Sequence, residues 1–166
     1  MVAPDDGAAP ESRPPLLEDL VGICRELNRQ GAHYLVVGGM AIIQAGFVRA
    51  TEDIDILVEA GPDNFDRVQR ALMTLPDQAV RELRPTDLDQ YVVVRVADEV
   101  VVDLMKSACG IDYAAAAPEI ATVTIEGVSI PFASPSLLLK MKQTVRDKDK
   151  IDRAFLKELL HSENPE

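Results

Sequence analysis

Two aspartates separated by one residue, Asp53 and Asp55, are the residues of this chain whose spacing most clearly suits chemistry. They open the run Asp53-Ile54-Asp55-Ile56-Leu57-Val58-Glu59, whose alternation predicts a β-strand over residues 53–59. In a strand, side chains at i and i+2 share a face, so both carboxylates project together while Ile54, Ile56 and Val58 turn toward a core. Two carboxylates this close repel, and one takes up a proton unless a cation stands between them. A divalent metal ion removes the repulsion, and oxygen-only ligands suit Mg2+ or Mn2+. The competing explanation is the solvent-facing edge of an amphipathic strand, although Asp is disfavoured within strands.

A third carboxylate, Asp103, sits inside the apolar run Val100-Val101-Val102-Asp103-Leu104. Buried without a partner it would be costly, so it reads as facing a ligand at a strand's functional end. On a strand beside residues 53–59 it would complete a two-metal site of the kind that clamps attacking and leaving oxygens in an in-line displacement. Upstream, Val36-Val37-Gly38-Gly39-Met40 predicts a strand running into a glycine pair and then a helix. Glycines let the backbone approach a ligand closely, and a helix start offers N–H groups to phosphate. No Gly-Lys-Ser or Gly-Lys-Thr follows and the pattern is not GxGxxG, so neither a Walker loop nor a dinucleotide fingerprint is present. By itself, such a glycine pair is most often only a tight turn.

The elements that must position these residues follow from periodicity. Leu17, Leu20, Val21, Cys24 and Leu27 lie at helical spacing, and Gly31 stands where a C-terminal cap belongs. Strands are predicted over 33–37, 91–96, 100–105, 120–125 and 128–132, the last four as two hairpins. Helices are predicted over 40–45, from Pro62 through Phe65, Val68, Ala71 and Leu72, over 136–145 and over 150–161. The expected fold class is α/β (α+β): a mixed β-sheet flanked by helices, closed by C-terminal helices. Residues 1–15 hold four prolines and no apolar period, which predicts a disordered tail. Residues 16–161 then form a single domain, with 162–166 as a flexible C-terminus.

With 166 residues, the chain has room for one domain. Aromatics are 4% with no Trp, so Val, Leu, Ile and Ala must fill the core. Acids outnumber bases 28 to 17, a net charge of −11, which excludes a surface that coats nucleic acid or anionic membrane as a whole. Residues 140–157 run the other way, with seven bases against three acids. Some of these form solvated i,i+4 pairs such as Asp149 with Arg153, while Lys140, Arg146 and Lys148 are candidates to face phosphate. Cys24 and Cys109 make no CxxC pair, which argues against a disulfide scaffold or thiolate zinc site. Cys24 belongs to a core face, and His33 and His161 read as structural. No apolar run approaches the roughly 20 residues that span a bilayer. The acidic, Pro-rich start lacks the basic and apolar regions of a signal peptide. The expectation is a soluble cytoplasmic protein with no membrane partner.

The segment from Val36 to Val58 resembles the signature of the DNA polymerase β-like nucleotidyltransferase superfamily. That signature is an apolar strand, Gly-Gly or Gly-Ser, a gap of about a dozen residues, Asp-x-Asp, and a third Asp on a later strand. Gly38, Gly39, Asp53, Asp55 and Asp103 match in order. Arg49 and Thr51, in Arg-x-Thr-x-Asp-Ile-Asp, are similar to the small AbiEii-type enzymes, many of them toxins of toxin–antitoxin pairs. Leu139 to Lys142 and Arg146 to Asp149 with Asp152 resemble the closing helices of that minimal group. Gly39 stands where many relatives carry Ser, which removes one hydroxyl contact to phosphate.

The resemblance implies a metal-dependent nucleotidyltransferase. Asp53 and Asp55 would bind two Mg2+ (or Mn2+) ions. Asp103 would bind one of them and take the proton of the attacking hydroxyl. Gly38 and Gly39 would hold the phosphates of an NTP substrate, with Arg49, Thr51, Lys140, Arg146 and Lys148 as further nucleotide-binding candidates. The acceptor would be an RNA, foremost the 3′ end of tRNA, with a cognate antitoxin as partner. The alternatives are an antitoxin that adenylylates a partner protein, its toxin, and a non-catalytic relative that binds nucleotide or partner. Small-molecule acceptors such as aminoglycosides are a weaker fit, because those enzymes usually carry a larger second domain.

Overall fold

The computed structural model describes residues 11–164. Its helices are α1 (Leu17–Arg29), α2 (Gly38–Gln44), α3 (Pro62–Leu72), α4 (Asp87–Gln90), α5 (Tyr113–Ala116), α6 (Pro135–Met141) and α7 (Asp147–Glu163). Its strands are β1 (Tyr34–Val37), β2 (Asp53–Val58), β3 (Val94–Ala97), β4 (Val101–Met105), β5 (Ser107–Ala108), β6 (Ile111–Asp112), β7 (Ile120–Ile125) and β8 (Val128–Ala133). Six strands form one sheet in the order β3-β4-β2-β1-β8-β7, and β5 with β6 makes a separate ribbon. The sheet is mixed: β2 runs parallel to β4 and β1 to β8, while β1–β2, β3–β4 and β7–β8 are antiparallel. The expected mixed sheet with flanking and C-terminal helices is the architecture found.

Register follows from the aliphatic pattern. Ile54 and Ile56 on β2 are fully buried, whereas Asp53 and Asp55 are only partly so, as the alternation required. Slipping β2 by one residue would put both aspartates in the core, so the apolar set locks the carboxylates onto the opposite face. Val, Leu and Ile side chains make up most of the buried core, with few aromatics among them.

Several boundaries differ from the periodicity. Strand β3 begins at Val94, and residues 91–93, expected as strand, are unpaired and exposed. The β3–β4 ladder stops at Val94 opposite Leu104, and beyond it the chain leaves Met105 paired only with Leu57 of β2. Helix α6 stops at Met141 rather than 145, and α7 starts at Asp147 rather than 150. Between them the chain is held open by Arg153, whose guanidinium donates to the carbonyls of Lys142 and Thr144. Its N–H groups stand in for the helical N–H donors that carbonyls past a helix end lack.

Residues 1–10 of the expected tail lie outside the described residues. Its end is fastened: the Ser12 hydroxyl donates to the Asp98 carbonyl, and Arg13 forks onto Asp19 at 2.7 Å. Among the described residues no helix is long and apolar enough to cross a membrane.

Candidate active site

The parallel pairing of β2 with β4 sets Asp55 directly beside Asp103. On the far side of β4, Arg95 of β3 pairs with Asp103, and on the other side of β2, Val37 of β1 pairs with Asp55. A single row across four strands therefore reads Arg95, Asp103, Asp55, Val37, with Asp53 two residues along the same face. Asp53, Asp55 and Asp103 each offer an oxygen within 4.8 Å of the others. They line a cleft of about 460 Å3 together with Gly38, Arg95, Lys142, Arg146 and Lys148.

Gly38, directly after β1, has φ +65°, a backbone conformation that side chains disfavour. A Cβ there would also fall 1.9 Å from Asp55 Oδ2, so this carboxylate rests against bare backbone. At Gly39 a Cβ would lie 2.5 Å from Thr51 Oγ1 and 3.2 Å from an Arg49 nitrogen. The glycine pair is thus pressed between Asp55 on one side and the loop before β2 on the other.

Behind that turn lies a buried ionic network. Lys142 Nζ sits 3.3 Å from Asp149 Oδ1 and 3.1 Å from Asp152 Oδ2, and Arg49 Nη2 is 3.2 Å from the same Asp152 oxygen. Asp149 and Asp152 side chains are 0% and 1% exposed. Two buried polar atoms in it, Arg49 Nε and Asp152 Oδ1, have no hydrogen-bond partner. Burial pushes the Asp149 carboxyl up, but hydrogen bonds from Thr144, Arg146 and Lys142 outweigh it and hold it below the usual range. Through these contacts α6, α7 and the loop between them are clamped to the glycine turn, and the Lys142, Arg146 and Lys148 side chains line the cleft facing the aspartates.

The site is short of positive charge. Burial, then repulsion from Asp53 and Asp103, pushes the Asp55 carboxyl up to about 7, with Lys142 and Lys148 offsetting only part. Asp53 is also raised, first by burial and then by Asp103, despite Lys148 and Arg95. A compact set of three carboxylates, two of them held above the usual carboxylate range by burial and mutual repulsion, fits Mg2+ or Mn2+ as a ligand set.

Most of the residues singled out from sequence converge here, and three do not. Asp53, Asp55, Asp103, Gly38, Arg146 and Lys148 line the cleft, and Gly39 is packed behind it. Lys140 points away and pairs with Glu119 at 3.0 Å. Leu138 and Met141 of α6 line the cleft, and helical spacing turns Lys140 off that face. Arg49 and Thr51 lie behind the glycine turn: Arg49 bonds Asp152, and Thr51 donates to the Asp53 carbonyl. Arg95 was missed, because one Arg in an amphipathic strand carries no signal until register sets it against Asp103. Lys142 was counted among the bases, but its depth is a product of packing. Cys24 is buried in the core with its thiol pushed up to about 12 by burial, and His33 stacks on Tyr113 away from the cleft.

No protein-family model matches the chain, and no curated protein matches it. Solved structures do. The crystal structure of a candidate nucleotidyltransferase from Thermotoga maritima superposes with a TM-score of 0.56 at 18% identity, over 88% of this chain and 92% of that one. An antigenic nucleotidyltransferase-like protein from Paracoccidioides brasiliensis gives 0.53 at 17% identity, over 87% and 75%. At these identities the likeness is one of fold, and the fold is that of the nucleotidyltransferases.

Proposed function

We propose that this protein is a metal-dependent nucleotidyltransferase that transfers NMP from an NTP to an acceptor hydroxyl. The observation that carries the reading is the cross-strand row of Asp55 and Asp103, joined by Asp53, on the floor of a cleft whose opposite wall is cationic. Three oxygen ligands opposed by Lys142, Arg146 and Lys148 suit a substrate with a metal-bound polyphosphate, and suit few other small molecules.

In this reading Asp53, Asp55 and Asp103 hold two Mg2+ or Mn2+ ions, whose chemistry is neutralisation of the phosphates and of the charge that develops between them. Gly38 and Gly39 let the phosphates approach the backbone, and Lys148 and Arg146 draw the β- and γ-phosphates to one wall of the cleft. The acceptor oxygen attacks the α-phosphorus, its O–H proton passes to an oxygen of Asp103, and the bond to the β-phosphate oxygen breaks to release pyrophosphate. The protein's contribution is alignment and fixed charge, which is most of what phosphoryl transfer asks of it.

For the acceptor we favour RNA, the 3′ end of tRNA foremost, in the manner of an AbiEii-type toxin with a cognate antitoxin. The +4 stretch over residues 140–157, part of which faces the cleft, supports a polyanionic acceptor. The −11 charge of the whole chain favours the second reading, adenylylation of a partner protein by an antitoxin-type enzyme. Incubation with Mn2+, each labelled NTP, and either tRNA or lysate protein separates the two by which acceptor becomes labelled. Label absent from both, or label undiminished in Asp53→Ala/Asp55→Ala, overturns the enzyme and leaves a nucleotide-binding relative.

A further inference from the structure

Among the described residues Arg95 is the one cation in ion-pair contact with any of the three aspartates, touching Asp103 and Asp53, and the mechanism above gives it no task. Its Nε and Nη2 each donate to Asp103 at 3.0 Å, one to each carboxylate oxygen, and Nη2 also reaches Asp53 Oδ2 at 3.4 Å. The guanidinium thus engages both oxygens of one carboxylate and one of a second, inside a cluster whose ligand atoms lie within 4.8 Å of one another. Mg2+ bonds such oxygens at about 2.0–2.1 Å, so an ion on Asp53 and Asp103 would stand next to a full positive charge. The two cations compete for the same atoms.

The competitors differ in freedom. The Asp103 side chain is 7% exposed and is fixed on β4, which has partners on both sides. The Arg95 side chain is 60% exposed on the edge strand β3. It also borders, with Asp53, a second groove of about 300 Å3 whose lining includes Glu52 and Arg13. A guanidinium leaving the aspartates has open space beside it.

We propose that Arg95 is the resident counter-ion of the metal-free site and is displaced from Asp103 and Asp53 when a divalent cation binds. Resting on the metal-binding reading of the aspartates, it makes loading of the ion and release of one side chain a single coupled event. Arg95 then acts in opposite directions on two observables: it stabilises the metal-free fold and it weakens metal affinity. An ordinary surface ion pair does neither to a marked degree.

The test uses the full chain, stripped with EDTA at pH 8, as wild type, Arg95→Lys and Arg95→Ala. Mn2+ alone is titrated by calorimetry, and thermal midpoints are read without metal. Arg95→Ala is expected to bind Mn2+ about tenfold more tightly and to melt earlier without metal, with Arg95→Lys between the two. Equal or weaker Mn2+ binding by Arg95→Ala, with the wild type still binding, overturns the counter-ion role and leaves the metal site standing. Mn2+ binding by neither protein overturns the metal reading and this inference with it. Should Arg95→Ala fail to fold by circular dichroism, Arg95→Gln is read by the same criteria.

Discussion

Asp55 carries the sharpest conflict of any side chain in the molecule, since it is pressed on Gly38 and faces two other carboxylates. Its carboxyl, pushed up to about 7, stays protonated in the fold at pH values where the unfolded chain's, at 3.8, has already ionised. The folded state therefore holds the extra proton, and stability falls as pH rises from about 4 through 7. Asp55→Asn, stripped of metal, is expected to melt above the wild type at pH 8 and level with it near pH 4, measured by calorimetry in chelator. Saturating Mn2+ is expected to reverse the order at pH 8, because the wild type gains a bound ion that the variant binds poorly. Gly38→Ala makes the complementary point. The added Cβ meets Asp55 Oδ2 at 1.9 Å on a left-handed backbone, so a loss of about 1–3 kcal/mol in urea unfolding is expected, with transfer activity falling further.

At the level of elements, the loop between α6 and α7 decides which bases matter. Lys140 and Lys148 are close in sequence, yet one salt-bridges Glu119 and the other lines the cleft. Lys148→Ala is expected to raise the KM for NTP about tenfold or more, while Lys140→Ala leaves it unchanged, by steady-state kinetics on each variant. The buried network has a different signature. Removing Asp152 leaves Lys142 and Arg49 short of a partner, and breaking a buried pair costs about 3–5 kcal/mol. Asp152→Ala is accordingly expected to lower the melting midpoint strongly and to raise KM as well, because the glycine turn loses its brace. Asp149 adds an acid limit. Its carboxyl is held below the ordinary range, so its contribution is present above that range and is lost as pH falls through the folded value.

For the molecule as a whole, a chain of net charge −11 gathers four of its 17 bases, Arg95, Lys142, Arg146 and Lys148, around the cleft where the substrate would enter. Charge so placed attracts a polyanion over the cleft while the remaining surface repels it. Mn2+ with NTP is expected to raise the melting temperature by several degrees, measured by thermal shift at millimolar ligand. Absence of a shift would contradict the site as proposed. The mixed sheet is what makes this concentration of charge possible. Strand β4 lies against β2 through a parallel crossover, so residues 48 apart in sequence become direct neighbours at Asp55 and Asp103.

Alternation, glycine chemistry and the rarity of a carboxylate inside a valine run determined a good deal without any coordinates. They set Asp53 and Asp55 on one face, marked Asp103 as displaced from the core's logic, and made a mixed sheet the natural frame. Such features are local: each depends on a period of two or on one residue's backbone freedom. Tertiary structure decided what sums over distant segments. Register set Arg95 against Asp103, the β3–β4 ladder stopped at Val94 and left residues 91–93 unpaired, and the Arg153 contacts accompany the early end of α6 beside the buried Lys142. Helical phase likewise took Lys140 out of the cleft, and packing against Gly39 moved Arg49 and Thr51 behind it. Charge along a chain is counted residue by residue, but its effect falls off with distance in space. Which of the bases meet the aspartates was therefore a question only the fold could answer.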